Sequence, residues 1–356
     1  GPITESRMFG FKKAAAKWLR YFRLASFLLI ALVSAGLIYV VTIDLGPTLR
    51  SQAEQQFANY IDRPVHIGRL STYLLPGRFL IEDLVIDGLS NGDRPFFHAE
   101  RIIVSTAWLP LLRGEFLVDE VDMTGWRMLV ESFEDGHHSF PPFVGGSEDD
   151  ESARTAASDE GAEPSRRFVT TVQFLRAHDG EFVYEDHGSP WSVVARNVDL
   201  RLRKEIGYGG QASFNGGTLQ IGEFQPMTIG MDANYELDGG LVELSHIDLT
   251  MDGVESIVTG SLDLLNWPES TYEIVESSID LPTMKDVFFA EDNFLVTGNA
   301  TFTGLWHIFD GGRELSGTFK SADAALQELP FPALNGDLIW TQDRFEILRA
   351  ESSFFD

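Results

Sequence analysis

Cysteine is absent from the chain. Disulfides, thiolate nucleophiles, cysteine-ligated zinc and iron–sulfur clusters are therefore excluded, and the lack of free thiols suits an oxidising compartment. Positive charge is scarce. Lys plus Arg number 27 against 54 Asp plus Glu, a net charge of -27. Such a chain repels a phosphate backbone, so nucleic acid is not among its partners. Catalytic signatures are missing as well. There is no Gly-x-Ser-x-Gly elbow and no His-Glu-x-x-His helix. With 54 carboxylates, no single pair argues for glycoside hydrolysis.

The eight histidines offer little more. His137 and His138 follow Asp135-Gly136 in a turn and have no partner at ligand spacing. The segment AHDGEFVYEDHG crowds His178, Asp179, Glu181, Glu185, Asp186 and His187 together. A hairpin turning at Asp179-Gly180 would gather some of them. A strand with a polar edge has the same composition, and no known ligand spacing appears. EIGYGGQASFNGG (205–217) is rich in glycine, but no strand-to-helix step follows it, so two glycine-rich turns explain it better than a phosphate cradle. No catalytic, cofactor-binding or metal-ligating residue is assigned, and the chain reads as non-enzymatic.

One long hydrophobic run is present. Leu24 to Ile43 holds twenty residues without a charge. At 1.5 Å per residue it spans a hydrocarbon layer of roughly 30 Å. Lys12, Lys13, Lys17, Arg20 and Arg23 precede it and Asp44 follows it. The positive-inside bias keeps the basic N-terminus, 1–23, in the cytoplasm and carries the remainder across the membrane. A cleaved signal peptide is the competing reading, with a small-residue site at Val33-Ser34-Ala35. Cleavage there would leave the apolar GLIYVVTI at the new terminus. Met8 reads as a natural start, and RFEILRAESSFFD stops in what reads as a strand, so continuation past Asp356 is expected.

Past the anchor, residues 44–62 form a helical stretch that caps the next domain. Pro47 suits its first turn, and Leu49, Ala53, Phe57 and Ile61 make a narrow apolar face. From Arg63 the pattern changes to short alternating runs. Nine Asx-Gly dipeptides punctuate them: Asp87-Gly88, Asn91-Gly92, Asp135-Gly136, Asp179-Gly180, Asn215-Gly216, Asp238-Gly239, Asp252-Gly253, Asp310-Gly311 and Asn335-Gly336. Such pairs take positive φ cheaply and mark hairpins. A mainly β ectodomain follows, with short helical turns near 108–112 and 282–289. Residues 145–167 are acidic, small and aromatic-free. They cannot bury enough apolar area to order themselves and read as a linker between β segments 63–144 and 168–356.

A spacing recurs inside the β segments. Gly77, Gly114 and Gly240 are each followed by apolar residues at offsets of two, four, seven and nine. These are Phe79, Ile81, Leu84 and Ile86; Phe116, Val118, Val121 and Met123; and Val242, Leu244, Ile247 and Leu249. Strict alternation would split each set between two faces. A bulge near Glu82-Asp83, Asp119-Glu120 and Ser245-His246 returns all four to one face and bends the strand. The unit is a curved strand with one apolar side. Sheets of such strands either close as a sandwich core or stay open as a trough, and periodicity does not separate the two.

Over residues 8–143 the chain resembles the AsmA-like family, which includes TamB-type proteins. The resemblance rests on the basic start with a single span, on IDRPVHIGRL (61–70), on HAERIIVSTAWLPLLRGEF (98–116) between the first two repeats, and on VESFEDGHHSFPPF (130–143). From 168 onward it is looser, resting on GGRELSGTF (311–319) and LPFPALNGDLIW (329–340). The resemblance implies a single-pass inner-membrane protein with an elongated, curved antiparallel β-sheet groove, taco-like, in the periplasm. It implies phospholipid movement between inner and outer membrane along that groove, contributing to outer-membrane lipid homeostasis. The twelve repeat residues named above would line it. Membrane phospholipids, the inner membrane and an outer-membrane protein are the implied partners. The alternative is an anchored periplasmic scaffold for assembly of outer-membrane proteins or surface polymers, docking by strand addition.

Overall fold

The computed structural model describes residues 46–72, 77–90, 92–106, 118–141, 172–188, 190–204 and 207–353. The expected anchor 24–43, the linker 145–167, the helical turn near 108–112 and Phe116 lie outside the described residues. Among the described residues no helix is long and apolar enough to cross a membrane.

Strands dominate. The N-terminal block is helix α1 (Gly46–Ile61), then β1 (Val65–Thr72), β2 (Arg78–Ile86), β3 (Phe97–Thr106) and β4 (Val118–Ser132). The middle block is β5 (Phe174–Asp186), β6 (Trp191–Lys204), β7 (Tyr208–Ile221), β8 (Met227–Asp238), β9 (Leu241–Met251), β10 (Val254–Asp263) and β11 (Ser270–Asp280). Helix α2 (Leu281–Phe288) follows, then β12 (Val296–Thr297), β13 (Asn299–Phe309), β14 (Gly312–Ser321), β15 (Ala325–Leu326), β16 (Leu329–Pro330), β17 (Leu334–Thr341) and β18 (Phe345–Glu351). Fifteen strands form one curved, unclosed sheet in chain order. The short β12, β15 and β16 make a second sheet of three. Neighbours in the large sheet are antiparallel, except that β4 and β5 run parallel from Glu120–Phe174 to Ser132–Asp186. The two β segments expected from the sequence are thus joined in one sheet.

Strands β1 to β7 are each interrupted near the middle, and the interruptions align across this part of the sheet. In β1 to β4 the unpaired residues Gly68, Asp83, Glu100 and Gly125 face one another. Asp83 and Gly125 take φ of 52° and 63°. The core face switches there, as in β2, where Ile81 is buried on one side of the break and Leu84 and Ile86 on the other. The register of β2 against β1 and β3 stays unbroken, so the bulge expected at Glu82-Asp83 is not an inserted residue. Neighbouring strands flip in step, and none needs an extra one. Asp179, Asn197 and Gly216 carry the line through β5, β6 and β7 at φ of 50°, 53° and 67°. Inserted residues do occur at Asp119 and Ser245, the other two expected bulges, and also at Val275 and Leu348.

Three Asx-Gly pairs depart from the hairpin reading. Asp179-Gly180, Asn215-Gly216 and Asn335-Gly336 lie inside β5, β7 and β17 rather than in hairpin turns. In the first two, positive-φ tolerance serves the face switch. Gly209-Gly210 likewise lies within β7, not in a turn. Asp238-Gly239, Asp252-Gly253 and Asp310-Gly311 do close hairpins.

The main core fills the N-terminal half. Val65, Ile67, Ile81, Leu84, Ile86, Phe97, Ala99, Ile102, Trp126 and Val130 are buried together, and Ala53, Ala58 and Ile61 of α1 pack onto them. Of the face expected for that helix, Leu49 and Phe57 stay exposed. Helix α2 begins at Asp280, whose carboxylate accepts the Thr283 amide at 3.0 Å, with Pro282 in the first turn. Its Phe288 ring meets Phe224 edge-on at 5.0 Å and Trp340 at 5.9 Å.

Candidate functional site

The concave face is organised in rows that run across the strands. Directly paired residues share a face, so the register can be followed from strand to strand. One row reads Phe79, Val104, Val121, Leu175, Leu202, Gly210, Tyr235, Leu244, Gly260, Tyr272, Trp306, Leu315, Trp340 and Phe345. It holds no charge. Every member before Phe345 is half-buried, and Phe345 is exposed. The adjacent row reads Leu70, Ile81, Ile102, Met123, Ala177, Leu200, Ala212, Ala233, Ile247, Val258, Ile274, Gly304, Gly317, Leu338 and Ile347, again uncharged. With strands about 4.8 Å apart, these rows trace a contour of roughly 65 Å. The deeper row forms a floor, and the half-buried row forms a lip.

Glycine and aromatic residues cooperate along the lip. A Cβ on Gly210 would lie 2.8 Å from the Tyr235 ring, and one on Gly260 would lie 2.7 Å from the Tyr272 ring. Each ring occupies the space a side chain would take. On the floor, Phe302 covers Gly304 and Gly317 in the same way. The surface that results is apolar with little relief. The Tyr235 hydroxyl donates to the Arg201 carbonyl at 2.9 Å, and burial pushes its pKa up to about 12.

The repeat residues divide between these surfaces. Phe79, Val121 and Leu244 sit on the lip, and Ile81, Met123 and Ile247 on the floor. Leu84 and Ile86 are buried beyond the face switch and, like Ile81, belong to the core beneath α1, whereas Val118 is buried one row above the lip, across the Asp119 bulge. Val242 lies one row above the lip, and Leu249 packs with Leu244 and Ile247 around Ala233 and Val258. Most of the lip was missed from sequence: Leu175, Leu202, Tyr235, Tyr272, Trp306, Leu315 and Trp340. Alternation marks each as inward-facing within its own strand, but only the register joins them.

The opposite face carries the acid. Glu236, Glu243 and Glu273 rim a depression of about 480 Å³ there, with Ser245, Thr259 and Ser261. The dense segment around His178 is spread along β5. His178 pairs with Asp199 at 3.2 Å, Glu181 with Arg127 at 3.1 Å, and Asp186 accepts the Trp191 indole N–H at 3.2 Å. Only Glu185 and His187 meet, joined by Glu131, with ligand atoms within 4.8 Å of one another. Arg94 already fills the role of a cation there. It donates to Glu131 at 2.5 Å and to both oxygens of Glu185, while His187 Nε2 lies 3.0 Å from Glu131. The Arg94 bond holds the Glu185 carboxyl below its usual range. Phe133 stacks on both His137 and His187, at 4.9 and 5.1 Å. This cluster ties the loop after β4 to β5.

At one end the concave walls meet. The Trp267 ring, in the turn after β10, stacks on Phe140 at 5.0 Å and lies 6.2 Å from Tyr184. Trp191 lies 6.2 Å from Trp306, and the Arg313 guanidinium sits 5.5 Å over the Trp191 ring. Compared with known proteins, the chain matches no protein-family model, no curated protein and no solved structure.

Proposed function

We propose that the chain handles phospholipids without catalysis, holding acyl chains along the concave face of the sheet. The observation that carries this reading is the pair of uncharged rows crossing fourteen and fifteen strands, one floor and one half-buried lip, in a chain of net charge -27. Charge has been kept off one continuous surface. Each methylene laid on such a surface contributes about 0.8 kcal/mol, so two acyl chains supply ample holding energy. Movement along it needs no reacting group, only uniform relief. In this reading Leu24–Ile43 anchors the chain in the inner membrane, the sheet stands in the periplasm, and the protein belongs with the AsmA-like family.

The test is lipid retention. Purified chain should carry phospholipid detectable by mass spectrometry, and Leu244→Asp on the lip should abolish retention while leaving the melting transition within a few degrees. Val118→Asp is the contrasting variant. It buries a charge at a 7% exposed position and should unfold the protein. If Leu244→Asp retains lipid at the wild-type level, the lip is not the binding surface.

A scaffold that docks partners by strand addition is a second reading, favoured by β18. That strand is the last in the order of the described sheet, with Phe345, Ile347 and Leu348 at 56%, 56% and 61% exposure. Photo-crosslinkers at Leu348 and Leu244 separate the two: protein adducts at the first favour docking, and lipid adducts at the second favour the trough.

A further inference from the structure

One row above the lip, the concave face reads Lys204, Tyr208, Leu237, Val242, Leu262, Ser270, Ile308 and Arg313. Between its two terminal cations it carries no charge. Lys204 leans over the Tyr208 ring at 5.4 Å. Arg313 ends the row where the walls meet. Its Nη1 is buried without a hydrogen-bond partner, and among the described residues no carboxylate forms an ion pair with the guanidinium. Asp186 is near enough to act on it, but the two carboxylate oxygens of Asp186 accept from the Gly188 amide and the Trp191 indole. Across the cluster, the Trp267 indole N–H is also buried without a partner. Both donors border Tyr184, whose ring lies 6.2 Å from that of Trp267 and whose hydroxyl feels the charge of Arg313.

A buried guanidinium nitrogen without an acceptor is costly. We propose that Arg313 and the Trp267 N–H form the seat for a phosphate mono- or diester, the headgroup of an amphiphile whose acyl chains lie along the lip. The ligand identity rests on the lipid reading above. The phosphate seat itself does not. The aromatic rings exclude water and strengthen a charge-assisted bond. Burial lowers the Arg313 pKa from its ordinary value, the desolvation that an anion would relieve. The adjoining lip, Trp306 and Leu315, leads apolar surface to the seat. Free phosphate offers the same chemistry, so the two sources have to be told apart.

The experiment compares phosphatidylglycerol with diacylglycerol of identical chains, and separately inorganic phosphate, binding to the full chain. Wild type should hold phosphatidylglycerol about tenfold or more above diacylglycerol, and Arg313→Gln should reduce that preference to near unity without weakening diacylglycerol. Trp267→Phe keeps the ring and removes the N–H. It should lower the preference several-fold, and it serves if the Arg313 variant does not fold. Arg349→Gln, on the exposed ion pair with Asp337, should change nothing. A preference that survives both substitutions overturns the seat while the lipid reading stands. Inorganic phosphate bound by wild type but not by Arg313→Gln, with neither lipid bound, keeps the seat and overturns the lipid reading. Binding of none of the three overturns both.

Discussion

At the scale of single residues, charge matters most where it is least solvated. Arg94 holds Glu131, which is 13% exposed, and Glu185 in one clamp. Arg94→Gln leaves two carboxylates side by side, one of them nearly buried. Because half of the Arg94 side chain faces water, the expected loss is about 1 kcal/mol in urea unfolding. No change would show that the clamp is decorative. Acid should act in two stages. Burial, helped by Arg63, lowers the His138 pKa from its usual 6.5. Folding therefore disfavours the imidazolium, and stability is full above about 6.5 and declines as pH falls below it. Glu185 is lowered from 4.5, so its contribution is present above that value and is lost at lower pH. Melting temperature measured from pH 7 to 3 should show both stages. His138→Gln should remove the first, and an unchanged slope between pH 7 and 5.5 would reject this account.

At the scale of elements, the break line sets the shape of the sheet. Gly180 lies on it beneath Trp126, and a Cβ there would stand 2.1 Å from the indole ring. Gly180→Ala should cost about 1–3 kcal/mol through displacement of Trp126, visible in near-UV circular dichroism. Adding Trp126→Leu should recover part of that loss. If the single variant melts like wild type, the ring is not fixed by the glycine. The sequence made much of this architecture legible. Alternation and turn residues identified the β class, the helix at 46–61 and the turn at 281–288, and the offset pattern located the Asp119 and Ser245 bulges. Asx-Gly misled where positive φ flips a strand instead of reversing the chain, because φ preference is local and both geometries ask for it. Burial by α1 was only partly readable, since Leu49 and Phe57 have the periodicity of a packed face yet remain in water. The rows could not be read at all. They depend on how fifteen strands slide against each other, and no single strand records that.

At the scale of the molecule, the walls are coiled onto one another where Phe140, Tyr184 and Trp191 meet Trp267, Trp306 and Arg313. A guest on the apolar face would be confined on that side and would have to enter or leave laterally over the lip or toward β18. The β4–β5 junction carries a different consequence. Its parallel ladder of paired residues joins two stretches of chain that no tight turn connects. Those stretches are sutured by hydrogen bonds and need no covalent continuity. A gene cut between codons 145 and 167 should therefore yield two polypeptides that find each other when co-expressed and co-elute as one particle, a natural split-protein pair.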